Sequence, residues 1–145
     1  MTKTNIKVWK LLSSTPTPKY AHSSDAGFDL ASSINIVLQP NSLTIVPTGL
    51  VFEIPPDYEV QIRSRSGLAC RGIIVNNAPG TIDSGYRSEI KLIIRNQTDD
   101  QYPVSIGDRL AQGVVAYAPQ VNFIEAEFVS DSDRGVNGFG STGVK

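Results

Sequence analysis

The stretch Tyr-Glu-Val-Gln-Ile-Arg at residues 58–63 alternates apolar and polar side chains without interruption. Because successive side chains of a β-strand point to opposite faces, the pattern predicts a strand with Tyr58, Val60 and Ile62 on a buried face. The turn residues Pro55-Pro56-Asp57 come just before it and separate it from the preceding apolar run. A strand with one buried face and one solvent-exposed face indicates a sheet that packs against a core on one side.

The rest of the chain is divided into segments of similar length. Short apolar runs predict further strands, and no window shows a sustained helical period beyond one turn at Leu68–Arg71. No segment is long enough for a crossover helix, so antiparallel pairing in an all-β sandwich or barrel is expected. The other predicted strands are Ile34–Leu38, Leu43–Val46, Leu50–Ile54, Ile73–Val75, Glu89–Ile94 (central in a sheet), Asp108–Tyr117 and Asn122–Phe128.

Length and charge restrict the functional class. A chain of 145 residues suits one domain with one core. The 13 basic and 14 acidic residues give a net charge of −1, which argues against a nucleic-acid partner. The single cysteine, Cys70, excludes an internal disulfide, and the chain has no membrane-length apolar run. The N-terminal residues lack a secretory pattern, so a cytoplasmic location is expected.

The C-terminal residues differ from the rest. Residues 131–145 contain four of the 12 glycines and only one large apolar side chain, Phe139. We therefore expect a β core over residues 1–130 and a flexible glycine-rich tail over residues 131–145. Residues 138–143 match G-x-G-x-x-G, but no βαβ unit surrounds them, which rejects a dinucleotide site. These glycines could wrap an anion, or the terminus could be unstructured.

Two turns carry further polar groups, each with two interpretations. The sequence Arg65-Ser66-Gly67 could form an anion cradle or an ordinary polar turn. Asp83 could close an Asx-turn or act as a base at the edge of a pocket. Neighbouring Asp108 and Arg109 are interpreted most simply as a surface ion pair.

The residue inventory limits metal chemistry. His22 is the only histidine, so the chain cannot build a His/Cys zinc site. A metal would therefore be a hard cation on oxygen ligands, most simply Mg²⁺ held through phosphates.

Five segments, in order along nearly the whole chain, resemble the five motifs of the trimeric dUTPase family, whose members hydrolyse dUTP to dUMP and pyrophosphate. Ser64 stands where many members have proline, Ser88 where many have glycine, and the segment Leu68–Gly72 is one residue shorter than in many of them. The matching segments are Ala26–Leu30, Arg65–Ala69, Asn77–Glu89, Gly107–Gln112 and Arg134–Gly143.

The resemblance implies a distorted jelly roll (β-clip-like) with antiparallel strands and a homotrimer with its active sites between subunits. The tail of one subunit would close a site formed by the other two. The implied reaction is an in-line attack of water on the α-phosphorus of dUTP, with Mg²⁺ bridging the phosphates. Such an activity keeps uracil out of DNA and supplies dUMP for dTMP synthesis.

The resemblance also implies residue roles. Asp83 would be the catalytic base, and Asp29 would be structural. The phosphates would be held by Arg65, Ser66, Gly67 and Gln112; the base and sugar by Asn77, Gly80, Thr81, Ile82, Tyr86 and Lys91; and the tail would clamp the γ-phosphate and stack on uracil through Arg134, Phe139, Gly140, Ser141 and Thr142.

Two alternatives remain open at this point. A dCTP deaminase-like enzyme would share the fold but use a glutamate on the base. A non-catalytic trimeric regulatory homologue would bind without turnover. The Thr-Ile-Asp-x-x-Tyr pattern at residues 81–86 and the complete tail favour the hydrolase.

Overall fold

The computed structural model describes residues 4–143, and almost all regular structure in this range is β-strand. All seven strand pairings in the described range are antiparallel, which confirms the predicted all-β class. The helix found there has four residues, and no helix in the described range is long and apolar enough to cross a membrane. The elements are β1 Lys7–Lys10, β2 Gly27–Ala31, β3 Ile36–Leu38, β4 Leu43–Pro47, β5 Leu50–Glu53, β6 Tyr58–Ser64, α1 Ser66–Ala69, β7 Ile73–Val75, β8 Gly80–Ile82, β9 Lys91–Asn96, β10 Tyr102–Val104 and β11 Arg109–Tyr117.

A four-stranded and a three-stranded sheet enclose the core, in an arrangement consistent with a jelly roll. The strand orders are β2-β11-β6-β8 and β4-β9-β7, and two-stranded pairs β1-β5 and β3-β10 complete the fold. On β6, Val60 and Ile62 are buried in the core cluster, as the alternation predicts, and Tyr58 packs partly buried against it. The central position predicted for the 89–94 run is also confirmed, because β9 lies between β4 and β7.

A close contact between two strands sets up the functional region. The ring of Phe28 on β2 lies over Gly113 on β11, where a Cβ would come within 2.5 Å of the ring. Phe28 also packs edge-to-face on Phe52, with centroids 6.0 Å apart. Because residue 113 has no side chain, β2 and β11 can pair closely, and this pairing places Asp29 directly opposite Gln112.

The predicted strand Asn122–Phe128 is wrong for this chain. These residues form no strand, and Phe123 is 96 % and Phe128 84 % exposed. The apolar pattern is present, but no strand of the described chain pairs with it. A strand needs a partner edge as well as a suitable sequence.

The remaining differences concern short elements. The helical turn begins two residues earlier than predicted, at Ser66. Strands β1, β2, β8 and β10 were not predicted, because they mix apolar residues with Lys, Gly, Asp, Thr or Pro and lack the apolar runs that marked β3, β5 and β7.

Candidate functional site

Strand β11 gathers polar groups from two neighbours at one end of the four-stranded sheet. Gln112 faces Asp29 of β2 on one side and Arg63 of β6 on the other. Ala111 pairs with Ser64, the last residue of β6, so the Arg65 turn begins beside Gln112. The sheet order therefore brings together residues that lie about 80 positions apart in the sequence.

Asp29 holds two arginines at this end of the sheet. Its Oδ1 lies 2.9 Å from Arg65 Nε, and its Oδ2 lies 3.1 Å from Arg109 Nη1. Arg65 Nη1 also donates to the main-chain oxygen of Arg109 at 2.9 Å. Charge-assisted bonds of this kind fix a guanidinium well when both side chains are partly buried. Asp29 thus orders Arg65, which is compatible with the structural role predicted for it.

This arrangement corrects the interpretation of Arg109. The Asp108–Arg109 surface ion pair is wrong, because Arg109 pairs with Asp29 and the Asp108 carboxylate accepts the Ser105 N–H at 2.8 Å. The sequence carries no local signal of the correct partner, since Asp29 is 80 residues away.

Gln112 and Ser64 connect the three strands near the turn. Gln112 Nε2 donates to the Ser64 main-chain oxygen at 2.9 Å, and its Oε1 lies over Gly27, where a Cβ would be only 2.5 Å away. The Ser64 hydroxyl accepts the Val75 N–H at 2.9 Å. The serine that replaces the common proline therefore provides a bond from the end of β6 to β7.

The turn after β6 offers free main-chain donors. Arg65 is extended, and its carbonyl accepts the N–H groups of Leu68 and Ala69, at 3.1 and 2.9 Å. Within residues 4–143, the N–H groups of Ser66 and Gly67 have no main-chain acceptor. A Cβ at Gly67 would meet nothing within 4 Å, so packing within the chain does not require glycine there. The open space beside Gly67 is available to a ligand.

These groups surround a cavity of about 570 Å³. Its volume is typical of a small-molecule site. The charged lining residues are three arginines and two aspartates, and the uncharged polar side chains are those of Ser66 and Gln112. The lining residues are Ala21, Asp25, Ala26, Gly27, Asp29, Arg65, Ser66, Gly67, Leu68, Arg71, Arg109 and Gln112. Among the polar lining residues, Asp25, Arg71 and Arg109 were not predicted as site residues.

The loop from β7 to β8, two strands that lie in different sheets, forms a second polar region together with β8. The side chain of Asn77 lies against Gly80, where a Cβ would be 2.9 Å from Asn77 Nδ2. The strand β8 carries Thr81 and Ile82 and is an edge strand, paired only with β6. Its outer edge therefore leaves main-chain donors and acceptors unpaired in the described chain.

Asp83 follows β8 at the start of a turn. The Asp83 main-chain oxygen accepts the Tyr86 N–H at 3.1 Å, and Tyr86 Oη donates to the Glu89 main-chain oxygen at 2.9 Å. The carboxylate of Asp83 is exposed and accepts no hydrogen bond from the described residues. The turn is therefore closed by the backbone of Asp83 and not by an Asx bond.

Asp83 and the cavity lie towards opposite ends of β6, whereas the β7–β8 loop lies at the cavity end, since Gly80 pairs with Ile62 and the Val75 N–H donates to the Ser64 hydroxyl. Ile82, next to Asp83, pairs with Val60. Arg65 lies five residues further along, which is about 16 Å on an extended strand. Asp83 is not among the residues that line the cavity. Lys91, at the start of β9 opposite Pro47, is exposed and also lies outside it.

The tail forms a third separate region. Its side chains are exposed, and within the described chain residues 131–143 make hydrogen bonds only among themselves. Arg134 Nε donates to the Asn137 main-chain oxygen at 2.9 Å, and the Phe139 ring is fully exposed. Gly140, Ser141 and Thr142 make no hydrogen bond to the cavity, to β8 or to Asp83. Within the described chain, the cavity, Asp83 and the tail thus lie in three separate places.

Protein ligands for a metal are scarce in this arrangement. Within the part of the chain that the structure describes, no three His, Cys, Asp or Glu side chains are grouped to hold an ion. Both oxygens of Asp29 are engaged by arginines, and Asp25 Oδ2 accepts the His22 N–H at 2.8 Å.

Comparison with known proteins gives a consistent result. The family model for dUTPase matches residues 13–143. Among curated proteins, the chain is 46 % identical over 139 residues to the deoxyuridine 5'-triphosphate nucleotidohydrolase of Nautilia profundicola, covering 95 % of this chain and 98 % of the relative. It is 43 % identical over 140 residues to that of Helicobacter pylori J99, covering 96 % and 97 %.

Solved structures agree with these relatives. The dUTPase of Staphylococcus bacteriophage 80alpha, solved with dUpNHpp, matches with a TM-score of 0.89 and 27 % identity over 97 % of this chain and 99 % of that one. A mutant dUTPase from phage phi11 of S. aureus, which coordinates a structural Mg(II) ion, has the same fold with a TM-score of 0.79 and 23 % identity, over 86 % and 97 % of the two chains.

Proposed function

This chain belongs to the dUTPase family, and we propose that three copies of it together complete each active site. The protein hydrolyses dUTP to dUMP and pyrophosphate, and the family match favours this activity over the deaminase-like alternative. The observation that carries the proposal is the separation of the site residues. The phosphate cavity, Asp83 and the tail are all present in one chain but do not meet within it.

Exposed apolar side chains support assembly into a homotrimer. Val121, Phe123, Ile124, Phe128 and Val129 are each at least two-thirds exposed, in a segment with no partner in its own chain. An apolar stretch of this kind is typical of a surface that another chain covers. We assign the cover to neighbouring copies, and we take residues 131–145 as the segment that continues onto a neighbour's site.

The phosphate chain of dUTP would bind in the cavity. The ion pair with Asp29 fixes the guanidinium of Arg65. The free N–H groups of Ser66 and Gly67 lie beside the open space that a phosphate oxygen would fill. Because these donors are already ordered, phosphate binding does not cost the conformational entropy of ordering them. Gln112, which also lines the cavity, would contact the phosphates or their bound water from beside the Arg65 turn.

The cavity suits Mg²⁺ that enters with the substrate. Magnesium binds phosphate oxygens and water in preference to an all-protein cage, and this cavity has few free carboxylate oxygens. Bound magnesium would neutralise part of the negative charge that develops on the phosphates. Gln112 and Asp25 are the lining residues whose oxygens could hold its water ligands.

A neighbour's Asp83 would act as the general base. Its carboxylate is exposed and accepts no hydrogen bond within the described chain, so it is free to accept a proton from water. The water oxygen would bond to the α-phosphorus on the side opposite the bridging oxygen to the β-phosphorus. The bond to that bridging oxygen breaks, pyrophosphate leaves, and the water proton passes to Asp83.

The β7–β8 loop and strand β8 would select uracil and deoxyribose. The outer edge of β8 offers main-chain groups near Thr81 and Ile82, and Asn77 lies beside Gly80. Cytosine reverses the donor and acceptor pattern of uracil, so it would leave polar groups unpaired, at about 1–3 kcal/mol each. Tyr86, whose hydroxyl is fixed on the Glu89 carbonyl, would pack on the sugar and exclude a 2′-hydroxyl. Lys91 would lie near the base or sugar.

The tail would close the site over the bound nucleotide. Arg134, Ser141 and Thr142 would hold the γ-phosphate, and Phe139 would stack on uracil and exclude water. Gly140, at φ +87°, has a left-handed backbone conformation that would let the tail curve around the ligand. A nucleotide without the γ-phosphate would hold the tail weakly.

A substrate panel tests this function. The protein with Mg²⁺ is incubated with dUTP, dTTP, dCTP, UTP and dUDP, and pyrophosphate, phosphate and ammonia are measured. Pyrophosphate is expected from dUTP, with turnover of the other nucleotides about 100-fold slower or less, because each mismatches the base, sugar or phosphate contacts. Ammonia from dCTP would identify a deaminase. Absence of turnover by a folded protein that binds dUTP would identify a regulatory homologue.

A further inference from the structure

Four of the five charged side chains in the phosphate cavity already have partners within the chain. Asp29 binds Arg65 and Arg109, and Asp25 accepts the His22 N–H. The fifth is Arg71, whose guanidinium makes no ion pair or hydrogen bond with any residue in the described range 4–143.

The backbone that carries Arg71 is firmly placed. The Arg71 N–H donates to the Leu68 carbonyl at 2.9 Å, and the next carbonyl, that of Gly72, accepts the Gln97 N–H at 2.9 Å. Gly72 has φ +76°, and a Cβ there would lie 2.7 Å from Thr98 Cγ2. The segment is therefore pinned against the end of β9, and only the long side chain of Arg71 is free to move.

Arg71 also decides the net charge of the cavity walls that this chain supplies. The lining has three arginines and two aspartates, which gives +1, and without Arg71 the walls are neutral. A triphosphate remains an anion when magnesium is bound to it. A cleft whose walls carry the opposite charge raises the local concentration of such a ligand.

We propose that Arg71 is a further substrate-binding residue, whose guanidinium contacts the phosphate chain of dUTP. The planar fork of arginine suits paired bonds to phosphate oxygens, and its lack of an internal partner leaves all its donors available. This inference rests on the proposed function, since it assigns a residue to the same phosphate cavity.

Equilibrium binding of dUpNHpp and of deoxyuridine tests the assignment. Arg71→Gln is expected to weaken dUpNHpp about 10-fold, the loss typical of a charge-assisted hydrogen bond. Deoxyuridine has no phosphate, so its binding should be unchanged. Arg71→Lys keeps the charge and should lose less. Arg63→Gln is the matched control: it removes the same charge nearby, but Arg63 bonds to Gln61 and does not line the cavity.

The outcomes separate the two proposals. If the wild-type protein does not bind dUpNHpp, the proposed function and the role of Arg71 both fail. If it binds and Arg71→Gln binds equally well, only the role of Arg71 is wrong. A variant that loses dUpNHpp and deoxyuridine to the same extent has a distorted site, and this result also contradicts a phosphate contact. Equal losses in Arg63→Gln would show a long-range charge effect instead of contact.

Discussion

Asp83→Asn is expected to reduce kcat for dUTP by about 10²- to 10⁴-fold, the range for removal of a general base. The amide has nearly the shape of the carboxylate but cannot accept the proton of the attacking water. Asp83 is exposed and bonds to no other described side chain, so the fold should not change. Steady-state kinetics with pyrophosphate detection measures the loss, and titration with dUpNHpp should give an affinity close to that of the wild type.

The matched control for this substitution is Asp57→Asn. Asp57 is also an exposed aspartate, and its φ of +64° is a conformation that asparagine tolerates. The control is expected to keep wild-type kinetics. Turnover by Asp83→Asn close to that of the wild type would exclude Asp83 as the base.

Removal of residues 131–145 is expected to lower kcat/KM for dUTP by about 100-fold or more, because misplacement of reacting groups alone can have this effect. The tail would supply the γ-phosphate clamp and exclude water. Residues 131–143 make no hydrogen bond to the rest of the described chain, so the melting temperature and the oligomeric state should be unchanged.

Two point variants resolve the contributions of the tail. Arg134→Gln should chiefly affect triphosphates, whereas Phe139→Ala should weaken all uracil nucleotides, because the ring would stack on the base. A truncated protein that unfolds would show that the tail belongs to the core. A truncated protein with full activity would show that no closure occurs.

The sequence predicted the strands correctly where the alternation of apolar and polar residues is long enough to be recognised. The alternation over residues 58–63 predicted which face of β6 is buried, because Val60 and Ile62 are both apolar and both point inward. The three-residue strand β8 was missed because Gly80-Thr81-Ile82 is neither an apolar run nor a visible alternation. The apolar pattern at residues 122–128 predicted a strand, but no strand of the described chain pairs with these residues.

The site was predictable only as separate motifs. The order of five motifs led to the residues, but it contains no information on which of them meet. That Asp29 binds Arg109 depends on the pairing of β2 with β11, and that Asp83 lies far from Arg65 depends on the register of β6 with β8. Arg71 was missed because a lone arginine after a turn is usually in solvent.

The most direct test of a site shared between copies is co-expression of two inactive chains. Full-length Asp83→Asn lacks the base and the chain ending at Ser130 lacks the tail, but each has what the other lacks. If every site takes its Asp83 and its tail from two different subunits, one of the three sites in any mixed trimer has both groups, so the isolated mixed trimers should show about a third of the wild-type activity. Mixed assemblies, isolated with two affinity tags, are assayed for pyrophosphate release from dUTP. Activity no higher than that of the two separate variants would contradict the shared site.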